Sequence, residues 1–146
     1  GDIRHIISVR KVPATTEEIR AFAKKRNPFN HPTVMFRKQA VLDAGNYQEM
    51  LWFEDYLLWI NMLLNGSRMM NLQESLVYYR VGPEMFQRRG GLKYVRHEWK
   101  LQRQLYDKGF ISLGEFFRNG MTRTAVRMMP NSLRGMIYKK VLRIKP

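Results

Sequence analysis

The feature that most constrains this chain is the segment 54–65, which reads EDYLLWINMLLN. Its apolar residues surround the helix axis instead of forming one stripe, and such a helix must be enclosed by protein on most sides. Two adjacent carboxylates, Glu54 and Asp55, open the segment, and Gly66 follows it as a natural helix stop. The pattern predicts a buried helix with an acidic pair at its N-terminal end. The other elements are expected to pack around this helix.

The segments around this helix predict an α/β fold. Thr15 and Glu18 form a capping-box pattern, which predicts a helix that ends in a run of cations at 24–26. A second, short helix is expected over 38–44, before Gly45. Short β-branched or apolar stretches predict strands at 3–12, 33–36 and 76–81.

The C-terminal part of the chain differs in charge and pattern. Residues 88–146 contain 15 Lys or Arg against 3 Asp or Glu, whereas residues 1–87 are nearly balanced at 11 against 9. Three helices are expected, at 91–108, 112–129 and 132–144, and Ser112 with Glu115 gives the second of them a capping box. The apolar stripe of that second helix comprises Leu113, Phe116, Phe117, Gly120, Met121, Thr124 and Met128.

Length and composition narrow the class of protein. At 146 residues and 45% apolar content the chain has the material for one domain with a sizeable core. It contains no cysteine, which excludes disulfides and thiolate metal sites and favours a reducing, cytoplasmic setting. No apolar run approaches the roughly 18 residues of a membrane span, and no secretory signal opens the chain.

The Glu54-Asp55 pair has two interpretations on chemistry alone. Acidic residues are common at helix starts, where they accept hydrogen bonds from free N–H groups and oppose the helix dipole. Alternatively, a carboxylate held at a helix start can act as a general base toward a nearby hydroxyl group. The pair by itself leaves both interpretations open.

Several segments in order resemble the second half of family 2 glycosyltransferases of the bacterial surface-polysaccharide type. In that family an Asn- and His-Pro-containing turn, a buried strand, an Ala-Gly-Gly-Tyr turn and a Glu-Asp-Tyr-Asp-Leu-Trp helix start follow one another. The corresponding segments here are RNPFNHPTVMFRK at 26–38, AGNY at 44–47, FEDYLLW at 53–59 and LVYYR at 76–80.

The resemblance implies the C-terminal part of a GT-A (Rossmann-like) domain, followed by a basic helical tail. Residues 1–85 would be the acceptor-side half of that domain and residues 86–146 a basic amphipathic helical segment. A sugar would pass, with inversion, from a nucleotide-sugar donor to the hydroxyl group of a glycan or lipid-linked acceptor. Asp55 would be the catalytic base, and Glu54 would shape the same site.

The resemblance also suggests two substrate-binding residues, and each has a structural alternative. His31 would lie near the site, either in contact with substrate or as a structural histidine of the turn. Trp59 could stack on a sugar, although a Trp inside an all-apolar helix is more often part of the core.

The chain departs from the family pattern at two positions and lacks two of its parts. Leu57 replaces the third acid of the helix start, and Asn61 stands where an Arg is common. No Asp-x-Asp occurs, so the ligands for the Mg²⁺ or Mn²⁺ of the full-length parent would lie outside this chain, and no glycine-rich phosphate loop occurs either. We therefore expect no metal on these residues and no activity from them alone.

Three interpretations of the segment 86–146 stay open. It could contact an anionic membrane surface on the inner face of the cell membrane, bind nucleic acid, or pack on the catalytic half. Nucleic acid is the less favoured partner because no RNA- or DNA-binding motif is recognisable. The alternative to an enzyme is a non-enzymatic basic α/β module that binds nucleic acid or anionic membrane. We further expect exposed strand edges that favour a homodimer.

Overall fold

The computed structural model describes residues 9–79 and 91–129, and within these ranges the regular elements are helices, apart from an isolated β-bridge at Val9. The predicted third tail helix at 132–144, most of the strand at 3–12 and the end of the strand at 76–81 lie outside the described residues. The described elements are α1 (Thr16–Ala23), a 3₁₀ turn (His31–Thr33), α2 (Lys38–Asp43), α3 (Glu54–Leu64), α4 (Leu92–Asp107) and α5 (Leu113–Met128).

Both predicted capping boxes are confirmed. The Thr15 side chain accepts the Glu18 N–H at 3.3 Å, while the Glu18 carboxylate accepts the N–H groups of Thr15 and Ala14. Ser112 and Glu115 do the same at the start of α5. The backbone donors of Thr15 and Ala14 hold the pKa of Glu18 below its usual range.

Helix α3 is buried on nearly every side, as its sequence predicts. Eight of its eleven residues are buried, and Gly66 ends it with a φ of +79°. Tyr56, near its start, donates from Oη to the Ala23 carbonyl at 2.5 Å, and burial raises the pKa of Tyr56 to about 12. Helix α3 is therefore the centre around which the other described helices pack.

One hydrophobic core joins the two parts that the sequence divides at residue 85. Its members come from α1, α3, the loop before α3, α4 and the turn before α5: Ile19, Ala23, Met50, Phe53, Tyr56, Leu57, Ile60, Leu63, Tyr94, Leu101, Leu105, Phe110 and Ile111. The buried face of α4 thus packs on the predicted catalytic half, while the domain boundary itself stays a prediction.

Helices α4 and α5 form a hairpin held by a buried ion cluster. Glu98, 2% exposed, accepts from Arg123 at 2.5 Å and from Arg127 at 3.0 Å. Trp99 packs against Gly120 and donates from Nε1 to Thr124 Oγ1 at 2.9 Å. Two of the tail's cations are therefore internal structural groups and do not belong to a solvated surface.

The apolar stripe of α5 divides between two surroundings. Phe116, Gly120 and Thr124 face α4. The remaining members, Leu113, Phe117, Met121 and Met128, are exposed.

The predicted strands at 33–36 and 76–79 are not formed in the described residues. Thr33 ends the 3₁₀ turn, and Val34 has an extended backbone (φ −91°, ψ 134°) without a ladder partner. Residues 76–79 are exposed and likewise unpaired. A strand needs a neighbouring strand for its hydrogen bonds, and the described residues supply none. The α/β expectation is therefore not met within them.

Candidate active site

Asp55 lies at the start of α3 with its carboxylate held by two donors. Oδ1 accepts the N–H of Tyr56 at 2.7 Å, and Oδ2 accepts from Asn27 Nδ2 at 2.9 Å. The side chain is partly exposed, and the neighbouring Glu54 is exposed. Asp55 thus satisfies one amide of the first helical turn and still presents a carboxylate, fixed in orientation, to solvent.

Asn27 is a site residue that the sequence analysis missed. Its amide oxygen accepts the Phe29 N–H at 3.1 Å, which fixes the orientation of the amide toward Asp55. Arg10 donates to the Asn27 carbonyl at 2.6 Å and also bonds the Asn30 side chain. The Asn27-Pro28 sequence predicts only the end of a helix. The contacts of Asn27 with Arg10 and Asp55 span 17 and 28 positions and follow no local pattern.

The backbone that leads to Asn27 is bonded to the core and to the C-terminal hairpin. Three successive carbonyls at the end of α1 accept hydrogen bonds: Ala23 from Tyr56 at 2.5 Å, Lys24 from Asn119 at 2.8 Å and Lys25 from Arg123 at 2.6 Å. The α4–α5 hairpin therefore helps to place the residue that orients Asp55.

His31 and Tyr47 form a pair beside the two carboxylates. Their rings stack at 5.8 Å, and Tyr47 Oη lies 3.1 Å from His31 Nε2. Burial, followed by the charges of Asp55 and Glu54, raises the pKa of Tyr47. The phenol therefore stays protonated at neutral pH and lies in the electrostatic field of the acidic pair.

A left-handed turn brings Tyr47 to this position. Gly45 and Asn46 adopt φ values of +87° and +59°, the region that Gly and Asn enter most easily. The AGNY segment is part of the family resemblance, but nothing in the sequence pattern assigns a role to its tyrosine.

Trp59 lies beneath the site and not on its surface. It is 1% exposed, and its ring meets His31 edge-on at 6.2 Å and Phe29 at 5.6 Å. This is the packing expected of a core tryptophan, and the indole ring packs against the imidazole of His31.

The two departures from the family pattern lie away from the carboxylates. Leu57 is fully buried in the main core. Asn61 is 7% exposed and lines a pocket of about 280 Å³ with Asp43, Gln48 and Lys108. Six residues of helix separate Asn61 from Asp55, roughly 9 Å along the axis, so this pocket is not part of the acidic site.

Metal-ligating side chains do not cluster in the described residues. Across 9–79 and 91–129, no group of three or more His, Asp or Glu side chains could hold an ion. Within the same ranges, no helix has the length and hydropathy needed to cross a bilayer. The site is instead an oriented, partly exposed carboxylate beside a His–Tyr pair, an arrangement that can accept a proton from a bound hydroxyl group.

Comparison with known proteins finds bacterial glycosyltransferases that are similar to this chain. It is 42% identical over 135 residues to a UDP-Gal:alpha-D-GlcNAc-diphosphoundecaprenol beta-1,3-galactosyltransferase of Escherichia coli, covering 92% of this chain and 49% of that protein. The chain is therefore similar to about half of a bacterial glycosyltransferase.

Two further relatives agree. An uncharacterized glycosyltransferase of Haemophilus influenzae is 38% identical over 142 residues, 97% of the segment and 52% of the relative. An amylovoran biosynthesis glycosyltransferase of Erwinia amylovora is 36% identical over 135 residues, 90% of the segment and 50% of the relative. The chain thus spans about half the length of these relatives.

Other comparisons add no match. No protein-family model matches the segment. No solved structure matches it either.

Proposed function

We propose that the segment forms the acceptor side of an inverting glycosyltransferase in surface polysaccharide or lipid-linked oligosaccharide synthesis. The whole protein would transfer a sugar from a nucleotide-sugar donor to an acceptor hydroxyl group. The name of the Escherichia coli relative specifies a UDP-sugar donor and a diphosphoundecaprenol-linked acceptor, and we propose a lipid-linked acceptor here as well. The observation that carries the proposal is the Asp55 carboxylate, oriented by Asn27 and open to solvent at the start of α3.

Asp55 would be the base of the transfer. As the acceptor oxygen attacks the anomeric carbon, a carboxylate oxygen of Asp55 takes the hydroxyl proton. The new bond joins the acceptor oxygen to the anomeric carbon, the bond from that carbon to the donor phosphate breaks, and the nucleoside diphosphate leaves with the electron pair. Attack opposite the leaving group inverts the anomeric configuration.

The neighbouring side chains would position the acceptor. Tyr47 and His31 offer a phenol and an imidazole at hydrogen-bond distance from each other, beside the carboxylates. Glu54, exposed on the same helix turn, would contact the acceptor or shape its approach. For Trp59, burial supports a role through the ring of His31 in preference to direct stacking on a sugar.

The finer classification is also part of the proposal. The segment would belong to family 2 and complete a GT-A fold together with the rest of the parent, whose remaining strands would pair with residues 33–36 and 76–81. The Mg²⁺ or Mn²⁺ that such an enzyme uses would have its ligands outside this segment. We place the parent on the inner, cytoplasmic face of the cell membrane, with the segment 86–146 in contact with anionic lipid.

The proposal is tested with the full-length parent and its Asp55→Asn variant, assayed over a panel of nucleotide sugars with Mn²⁺. Loss of a general base typically lowers the rate by about 10²- to 10⁴-fold, and we expect a loss in that range with donor binding unchanged. Glu54→Gln is the matched control, because it removes the adjacent charge and should cost much less. The 146 residues alone should transfer no sugar. Full activity in Asp55→Asn would return this carboxylate to a purely structural role at the helix start.

A further inference from the structure

The outward face of α5 is apolar. Leu113, Phe117 and Met121 are spaced four residues apart and Met128 lies two turns further on, so all four share one side of the helix. Their side chains are 53%, 50%, 63% and 54% exposed. We call this set the α5 face.

Packing within the hairpin does not account for the α5 face. The contacts of α5 with α4 are made by other residues: Phe116, Gly120 and Thr124 meet Trp99, and Arg123 and Arg127 bond Glu98. Leu113, Phe117 and Met121 lie one turn apart and form an exposed apolar strip, with Met128 further along the same face, and exposed apolar patches mark a contact surface.

The hairpin that carries the α5 face is also rich in exposed cations. Residues 91–129 contain eight Lys or Arg against three Asp or Glu. Only Arg123 and Arg127 are used by the buried Glu98. The other six are exposed: Lys93, Arg96, Lys100, Arg103, Lys108 and Arg118. Of the acids, Glu98 is buried, Asp107 bonds Arg103, and Glu115 caps α5, so the outer surface of the hairpin is basic.

We propose that the α5 face lies flat on an anionic lipid bilayer, with its apolar side chains in the boundary between head groups and acyl chains and the surrounding cations on lipid phosphates. An apolar strip between cations is the pattern of a helix that lies in a membrane interface. A 16-residue helix is about 24 Å long, shorter than the roughly 30 Å hydrocarbon core, which fits lying on the membrane and not crossing it.

Charge also selects between lipid and other occupants. A second copy docked on the α5 face would bring two basic hairpins together, which opposes association. Nucleic acid would pair with the cations but leave the apolar side chains without a partner. The inference deepens the proposed function, because a lipid-linked acceptor requires the site to be held at a membrane.

The test is sedimentation of the full-length parent with vesicles of phosphatidylcholine alone and with added phosphatidylglycerol. We expect binding to the anionic vesicles only, weakening as salt is added. Phe117→Ser with Met121→Ser should lower the binding constant by roughly tenfold or more, because two apolar side chains no longer enter the interface. Arg118→Gln should lower it by about fivefold, the value of roughly 1 kcal/mol for a cation near an anionic surface.

The matched control is Met70→Ser with Leu72→Ser, which removes two exposed apolar side chains outside the hairpin and should leave vesicle binding unchanged. Sugar transfer to a lipid-free acceptor separates this inference from the proposed function, because the Phe117→Ser, Met121→Ser variant should retain that activity. The inference would be overturned if the Phe117→Ser, Met121→Ser variant sedimented with anionic vesicles as well as the wild type does. Equal binding of the wild type to neutral vesicles, or conversion of a dimer to a monomer by the double variant, would also overturn it.

Discussion

At the scale of single residues, the position of Asp55 depends on Asn27. A carboxylate at a helix start can turn toward the free amides of the helix, and Asp55 does so with one oxygen. The amide of Asn27 holds the other oxygen at 2.9 Å, and Asn27 is itself fixed by Phe29 and Arg10. This arrangement gives the carboxylate one orientation, which matters because proton transfer depends on the direction from which the base reaches the hydroxyl group.

Asn27→Ala should lower kcat of the full-length parent by about tenfold with little change in KM, the effect of one lost hydrogen bond worth roughly 1.4 kcal/mol. Asn27→Asp should shift the acidic limb of the pH–rate profile to higher pH, because a second carboxylate beside Asp55 opposes the ionised base. Asn65→Ala, at the exposed end of α3, is the control and should change neither quantity. An unshifted profile in Asn27→Asp would contradict the role of Asn27.

Sequence could predict part of this site. The motif order predicts Asp55, Glu54 and His31 in one region, and the structure brings them together around Tyr47. Asn27 and Arg10 were missed because their contacts join distant positions and follow no period. The core alternative for Trp59 was visible in the sequence, since apolar residues surround it on α3, and its burial agrees with it.

At the scale of elements, the α4–α5 crossing depends on a glycine. A Cβ atom at Gly120 would lie 2.4 Å from the ring of Trp99, whereas a Cβ atom at Gly114 would meet nothing within 4 Å. Trp99 cannot simply retreat, because its Nε1 is bonded to Thr124 and its ring packs on Phe116. The absence of a side chain at position 120 is what lets the two helices approach.

Gly120→Ala should therefore destabilise the protein by about 1–3 kcal/mol through overpacking. Gly114→Ala places the same methyl group on an open helix surface and should stabilise it by up to about 1 kcal/mol, because alanine loses less backbone entropy than glycine. The urea midpoints of the two variants of the full-length parent measure the difference. Equal midpoints would show that α4 can shift to accept a larger residue.

Elements whose determinants are local were predictable, and those with distant determinants were not. The capping boxes at Thr15 and Ser112 need only residues three apart, and both are confirmed. The strands at 33–36 and 76–79 need a partner strand, so local composition could not establish them. The stripe of α5 was visible, but the division between its packed and exposed sides depends on Trp99 and Glu98, which lie 25 positions from their partners.

Across the described molecule, the helices share a core but leave the stretch 76–79 uncovered. Residues 76–79 are apolar or aromatic and 60–71% exposed, and they form no element. Because the segment spans about half the length of its relatives, we expect the rest of the parent to cover this stretch as neighbouring strands. The same stretch should promote association when the 146 residues are studied alone, since an exposed and unpaired apolar stretch is a template for strand pairing.

The isolated 146-residue segment should therefore self-associate through residues 76–79, with a mass by light scattering that rises from monomer toward dimer as concentration increases. Val77→Lys with Tyr79→Lys should shift the equilibrium toward monomer, because charged side chains on an exposed edge oppose pairing. Phe117→Ser with Met121→Ser is the matched control: it removes apolar surface from the α5 face and should leave the mass unchanged. A monomeric mass at every concentration would show that residues 76–79 do not drive association. A response to the α5 variant alone would assign the contact to the hairpin and would count against its role on lipid.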